Sequence, residues 1–194
     1  MPYNKELVKF DKLKIISIGR CHWIKGYTSV LDAMDIMKKQ GVKFHYTIIA
    51  SGRDDENLQY QIHDLGLNEF VTFINGLPHK QVIEKLSESN LLLHPSVGEG
   101  ISNVVLEAMA LRIPVVSTDC GGMTEVFDNN KNGFFVPARD IEAMTLMIKN
   151  FIKMDKRRKI KIINNAQNRI REQFLLNKQI KSMISFYHNL VQSS

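Results

Sequence analysis

The stretch SVGEGISNVVLE, residues 96–107, sets two carboxylates eight positions apart, one in a glycine-flanked loop and one inside an apolar helical pattern. Gly98 and Gly100 keep the loop around Glu99 free of bulk, and Ser102 or Asn103 can cap the helix that follows. A helix start bared by glycine offers the backbone N–H groups of Gly100, Ile101, Ser102 and Asn103 to an anion or to sugar hydroxyls. Glu107 stands beside Leu106 and Met109, where a carboxylate is costly unless its oxygens find partners. Vicinal hydroxyls would serve. So would an internal hydrogen bond or an exposed helix position. For Glu99 the plainer reading is an acid near a helix start, favoured by the dipole.

A second cluster lies in IISIGRCHWIKG, residues 15–26. A strand ends at Gly19, and Arg20 and Lys25 bracket a short loop before a helix opens near Gly26. Two permanent cations beside a helix N-terminus form a receptor for phosphate or pyrophosphate; equally, they read as two exposed bases in a surface loop. Neither G-x-G-x-x-G nor G-x-x-x-x-G-K-[ST] occurs. In TDCGGMTEV, Gly121 and Gly122 bring backbone toward the same edge, or simply allow unusual backbone angles.

The remaining chemistry is thinner. GRDDEN (52–57) places acids in a first helical turn, where capping explains them, and no D-x-D pair suggests a magnesium–diphosphate bridge. The six histidines, at 22, 45, 63, 79, 94 and 188, make no ligand spacing, and His94 reads as structural at the end of a core strand. Cys21 and Cys120 have neither metal nor redox spacing, which fits reduced cytosolic thiols. No G-x-S-x-G elbow or Cys/His constellation argues for nucleophilic hydrolysis.

Positioning these loops falls to short apolar runs that alternate with amphipathic stretches. Strands are expected at 13–18, 44–50, 71–74, 91–94, 114–117 and 134–136. Helices are expected at 27–40, 56–65, 80–89, 103–111, 123–127 and 141–153. Two closing helices follow at 156–174 and 178–191. Continuous apolar strands suit a parallel sheet covered on both faces. The expected fold is therefore a single Rossmann-like α/β domain: a doubly wound, mostly parallel, six-stranded sheet with C-terminal helices. Such sheets bind ligands beyond the carboxyl ends of their strands, where all three loops lie.

At 194 residues the chain suits one domain, and 44% hydrophobic with 24% charged residues is a globular composition. No apolar run approaches a membrane span, and residues 1–14 show no apolar signal region, so a cytosolic protein is expected. The net charge of +6 is uneven, with eleven basic residues against Asp155 and Glu172 between Lys149 and Lys181. A solvated helical face accounts for this; an anionic membrane surface is the next reading. Nucleic acid is disfavoured, because aromatic interleaving and binding motifs are missing.

Taken in order, these stretches resemble the nucleotide-sugar-binding half of the retaining glycosyltransferases of group 1 (family four), two-domain enzymes of the GT-B fold. IGRCHWIKG is similar to their G-R-x-x-x-x-K-G element, and HPSVGEGISNVVLEAMA to their P-S-x-x-E-G…E-A-M-A segment. PVVSTDCGGMTEVF, NGFFVP and GLNEFVTFINGLP complete a series running from about Leu13 to Pro137. The resemblance implies that Gly19, Arg20 and Lys25 hold the donor's diphosphate, the two cations also neutralising charge as the glycosidic bond breaks. It gives Glu107 the ribose hydroxyls. Glu99, with the N–H groups of Gly100 to Asn103, takes the sugar ring and the distal phosphate. The backbone around Leu77 meets the base, and Gly121 and Gly122 line the cleft floor.

It further implies a UDP- or GDP-linked donor, no metal or other cofactor, and a glycan or lipid-linked acceptor of bacterial surface polysaccharide. The place of work would be the cytoplasm, with peripheral contact at the inner membrane face. Residues 1–194 would be the donor-binding domain alone, binding donor with little or no transfer. The N-terminal acceptor-binding domain would be supplied in cis or as a separate subunit. Two positions depart from the family pattern. Asn75 stands where glycine is usual, with a left-handed backbone expected. Arg112 replaces glycine in ALRIPVV, where a strained helix end is expected. Two other readings are a sugar-nucleotide epimerase on the same fold, and a non-catalytic domain that uses its basic helices against a partner or membrane.

Overall fold

The computed structural model describes residues 11–52 and 55–192, so Arg53 and Asp54 of the GRDDEN stretch and the N-terminal residues 1–10 lie outside it. The apolar runs pair into one sheet of six strands: β1 (Leu13–Cys21), β2 (Phe44–Gly52), β3 (Val71–Asn75), β4 (Leu91–His94), β5 (Val115–Thr118) and β6 (Phe134–Val136). Every pairing is parallel, in the order β3-β2-β1-β4-β5-β6. The winding direction reverses between β1 and β4, and the crevice at such a switch point is where open α/β sheets hold ligands.

Successive strand residues face opposite sides. Leu13 and Ile15 therefore join one core layer with Val30, Leu31 and Met34 of α1 (Tyr27–Lys39), while Ile16 joins the other with Val105, Ala108 and Met109 of α4 (Asn103–Ala110). Both faces are dry, which is why these strands read as unbroken apolar runs. One polar chain crosses this interior: the Tyr46 hydroxyl donates to Ser17 Oγ at 2.9 Å, which donates to the Leu93 carbonyl at 2.7 Å. It ties β2, β1 and β4 together near the switch point.

The sheet outruns the apolar pattern at its carboxyl edge. β1 does not stop at Gly19: Gly19, Arg20 and Cys21 stay in register with Ala50, Ser51 and Gly52. Ladder hydrogen bonds are made by backbone, so a polar end to a strand is invisible to hydrophobic periodicity. Asn75 is also corrected: it is the last residue of β3, and the left-handed turn falls on Gly76, with φ 67°. Arg112 does adopt the left-handed conformation, φ 68°, at the end of α4. Its N–H reaches the Met109 carbonyl at 3.1 Å and that of Ile113 reaches Ala108 at 2.8 Å, the paired bonds of a Schellman ending. Its guanidinium donates to Asn164 Oδ1 at 2.8 Å, fastening this strained corner to the next helical layer.

The other helices are α2 (Asp55–Asp64), α3 (His79–Ser87), α5 (Met123–Val126), α6 (Ile141–Lys153), α7 (Lys156–Gln173) and α8 (Leu176–Gln192). The two closing helices differ. In α7, Ile162, Ile163, Ala166 and Ile170 are buried against the domain, whereas in α8, Leu176, Ile180, Met183, Ile184, Tyr187 and Val191 are exposed. Among the described residues no helix is long and apolar enough to cross a membrane.

Candidate functional site

Three loops at the carboxyl edge of the sheet are fastened to one another through their backbones. The Val97 N–H donates to the Ile24 carbonyl at 2.8 Å, joining the β4–α4 loop to the β1–α1 loop. The Gly122 N–H donates to the Glu99 carbonyl at 3.2 Å, joining it to the β5–α5 loop. Two glycines permit this closeness. Gly26, φ 67°, sits where a Cβ would strike the Pro95 carbonyl oxygen, and Gly121, φ 53°, where one would strike that of Glu99. Gly121 and Gly122 thus abut the backbone of the neighbouring loop at Glu99 and Gly100, a bracing contact that the sequence did not reveal.

Within this frame Lys25 and Glu99, 74 residues apart, form an ion pair. Both side chains are largely buried, at 14% and 22% exposure. Lys25 also lies over Gly19, where a Cβ would meet its Cε at 3.4 Å and the Tyr27 hydroxyl at 2.8 Å. Arg20 is exposed at the end of β1. Ser96 Oγ donates to Glu99 Oε2 at 3.4 Å, and His94 Nε2 stands 3.7 Å from the same oxygen. The imidazole is buried at 3% exposure, and Nε2 has no hydrogen-bond partner. Burial first, then the Lys25 ammonium, push the His94 imidazole down to about 4, with Glu99 pulling the other way, so it is neutral near pH 7. The hydroxyl of buried Tyr27 also lacks a partner, and burial drives it well above its ordinary range.

The helix that follows opens at Ser102 without a side-chain capping bond, so neither residue read as a cap closes off its first N–H groups. Gly100 has open space on its Cβ side, and Ile101 is 42% exposed beside it. Farther along, Glu107 takes a hydrogen bond with His79 Nε2 at 2.9 Å across α4 and α3. Leu77 is half-buried just before that histidine, packed on the second core layer.

All the expected site residues therefore gather on one edge. The sequence missed two participants, His94 and His79. Each meets its glutamate only through tertiary contact; the sole advance signal was the position of His94 at a strand end beside the first loop. Among the described residues no group of three or more His, Cys, Asp or Glu side chains is arranged to hold a metal ion.

An all-parallel open sheet with cations and a bare helix start at its switch point defines a Rossmann-like α/β domain with an anion-receptive edge. Comparison with known proteins narrows this. The profile of the family described as glycosyl transferases group 1 matches residues 3–169, and the chain belongs to that family. It is 30% identical over 181 residues to the putative colanic acid biosynthesis glycosyltransferase WcaL of Escherichia coli K12, covering 89% of this chain and 45% of that protein. It is 32% identical over 142 residues to the amylovoran biosynthesis glycosyltransferase AmsK of Erwinia amylovora, covering 70% of this chain and 35% of that one. The chain spans less than half the length of these relatives. Its fold matches Anabaena Alr3699/HepE, solved in complex with UDP-glucose, with TM-score 0.79 and 24% identity over 90% of this chain and 49% of that one. The fold is one half of a GT-B glycosyltransferase.

Proposed function

We propose that this chain is the donor-binding half of a retaining, metal-independent glycosyltransferase that carries a hexose-type sugar from a UDP- or GDP-linked donor to a glycan or lipid-linked acceptor. The observation carrying this reading is the meeting of Lys25 and Glu99 at the bare start of α4, with exposed Arg20 on the adjoining strand end. Arg20 and Lys25 supply fixed positive charge for a diphosphate and for the charge that grows on it as the sugar leaves. Glu99 takes sugar hydroxyls, and the N–H groups of Gly100 to Asn103 take the distal phosphate. Glu107, now on His79, takes the ribose hydroxyls. Gly19 lets Lys25 close over the end of β1 beside the phosphates, the backbone near Leu77 meets the base, and Gly121 and Gly122 hold the floor.

The acceptor-binding domain is proposed to come from an N-terminal GT-B half, in cis or as a separate subunit, with residues 1–194 binding donor and transferring little sugar alone. The exposed apolar stripe of α8 and the length of the relatives support this. The exposed bases Arg157, Arg158, Lys161, Arg171, Lys178 and Lys181 support peripheral contact with an anionic membrane on the cytoplasmic side. The test is a thermal-shift titration with UDP-, GDP- and ADP-sugars, without and with magnesium. A metal-independent rise in melting temperature, lost in Arg20→Ala/Lys25→Ala, is expected; an unchanged shift in that double variant refutes the reading.

A further inference from the structure

The donor reading creates a difficulty at Lys25. In the ligand-free protein its ammonium is already engaged with Glu99, and both side chains are mostly withdrawn from water. A diphosphate that takes Lys25 leaves a carboxylate stranded in a poorly solvated position, which is costly unless another donor receives it. Sugar hydroxyls can take one carboxylate oxygen; for the other the protein offers only weak support, from Ser96 Oγ at 3.4 Å. The remaining group is His94, whose Nε2 is buried, unpartnered and 3.7 Å from Glu99 Oε2. A small rotation of the carboxylate would bring the two into hydrogen-bond distance.

We propose that His94 is a positioning residue for the donor site: when a diphosphate takes Lys25, the Glu99 carboxylate passes to the His94 imidazole, which accepts a proton from solvent as it receives it. This rests on the donor-site reading. The charged groups acting on the imidazole are Lys25 after β1 and Glu99 in its own loop, while Cys120 after β5 lies toward the His94 backbone. Cys120 Sγ meets Thr118 Oγ1 at 3.5 Å, and Thr118 Oγ1 lies 3.4 Å from the His94 carbonyl. Of these only Lys25 is positive, and after burial it is the cause that holds His94 neutral. Drawing that charge onto a phosphate removes the repulsion and leaves Glu99 as the dominant neighbour. Seated on an imidazolium, the carboxylate is held in place for the sugar. Donor binding and proton uptake are thereby linked.

A ribose on Glu107 displaces His79 from its hydrogen bond. His79→Gln takes this second histidine of the site out of the comparison and serves as the background for the binding measurements.

The test has two arms. In the free protein, imidazole resonances are followed by NMR against pH. The His94 midpoint is expected to rise by at least about one pH unit in Lys25→Met, and the rise to shrink when Glu99→Gln is added. An unchanged midpoint in Lys25→Met overturns the proposal without reference to any ligand. In the second arm, UDP-glucose and GDP-mannose, whose phosphodiesters do not titrate between pH 5.5 and 8, are bound by calorimetry in buffers of different ionisation enthalpy. Net uptake approaching about one proton at pH 6 is expected in His79→Gln, lost in His79→Gln/His94→Gln, with affinity in the former rising about three- to tenfold from pH 7.5 to 6. Binding without uptake, or uptake that survives His94→Gln, overturns the role of His94 and leaves the donor site standing. Failure of both nucleotide sugars to bind at any pH removes the donor reading and this inference with it.

Discussion

The two glutamates are held in different ways, and the difference separates what the loop does from what the helix does. Glu99 is fixed on every side: its carbonyl accepts from Gly122, its carboxylate meets Lys25, and a buried imidazole faces it. Glu107 projects from a helix and meets one histidine that is 74% exposed. A charge in a shielded, preorganised setting interacts strongly with its neighbours, whereas an exposed pair is worth little. The Glu99 end is therefore built for a demanding task and the Glu107 end for an adaptable one.

The largest effect should come from breaking the frame at the Glu99 end. Gly121→Val, at φ 53° with its Cβ aimed at the Glu99 carbonyl, should cost about 4 kcal/mol in urea unfolding, combining strain and overpacking. Gly100→Ala, facing open space, should change stability by less than about 0.5 kcal/mol. Equal losses from the two would erase the contrast.

Next comes acid. His94 has a native value near 4, below its ordinary 6.5, so the unfolded state binds more protons between those limits. Stability therefore falls as pH drops from 6.5 toward 4, by on the order of 3 kcal/mol, with no further loss from this group below 4. Unfolding free energies for wild type and His94→Gln, measured across that window, should show the steeper slope in the former, since His45, also lowered by burial, contributes to both.

Smaller still is Glu99→Gln, which leaves the sheltered Lys25 ammonium without its counter-charge and should cost about 1–2 kcal/mol in thermal unfolding. The smallest effect is expected from His79→Ala, within about 0.5 kcal/mol of wild type. A large loss there would mean that the Glu107 end is as tightly built as its counterpart.

How far the sequence carried depends on which kind of contact was needed. β4 and β6 fall on the expected residues because both are short runs buried in the sheet. The same logic stopped β1 three residues early, since Gly19, Arg20 and Cys21 continue the ladder without an apolar signature. The left-handed turn at Arg112 was readable because the family this stretch resembles usually has glycine at that helix end; the one expected on the same ground at Asn75 falls a residue later, on Gly76. Every candidate site residue could be placed on one edge from topology alone. What joins them could not: the Lys25–Glu99 pair, the imidazole behind it and the His79–Glu107 bond each bring together residues from separate elements. The periodicity of α8 likewise shows an apolar face without showing what covers it.

The backbone fastening of the three loops also bears on how such a site can diverge. Each loop is anchored to its neighbour at a fixed point: Ile24 to Val97, Glu99 to Gly122, and Gly26 against Pro95. An insertion or deletion in any one would shift the other two, so loop length is a shared property of the set. Exchanges that leave the frame intact fall at unanchored positions such as Gly100, whose Cβ side faces open space. The frame stands or fails as a unit, and change is tolerated in what is hung upon it.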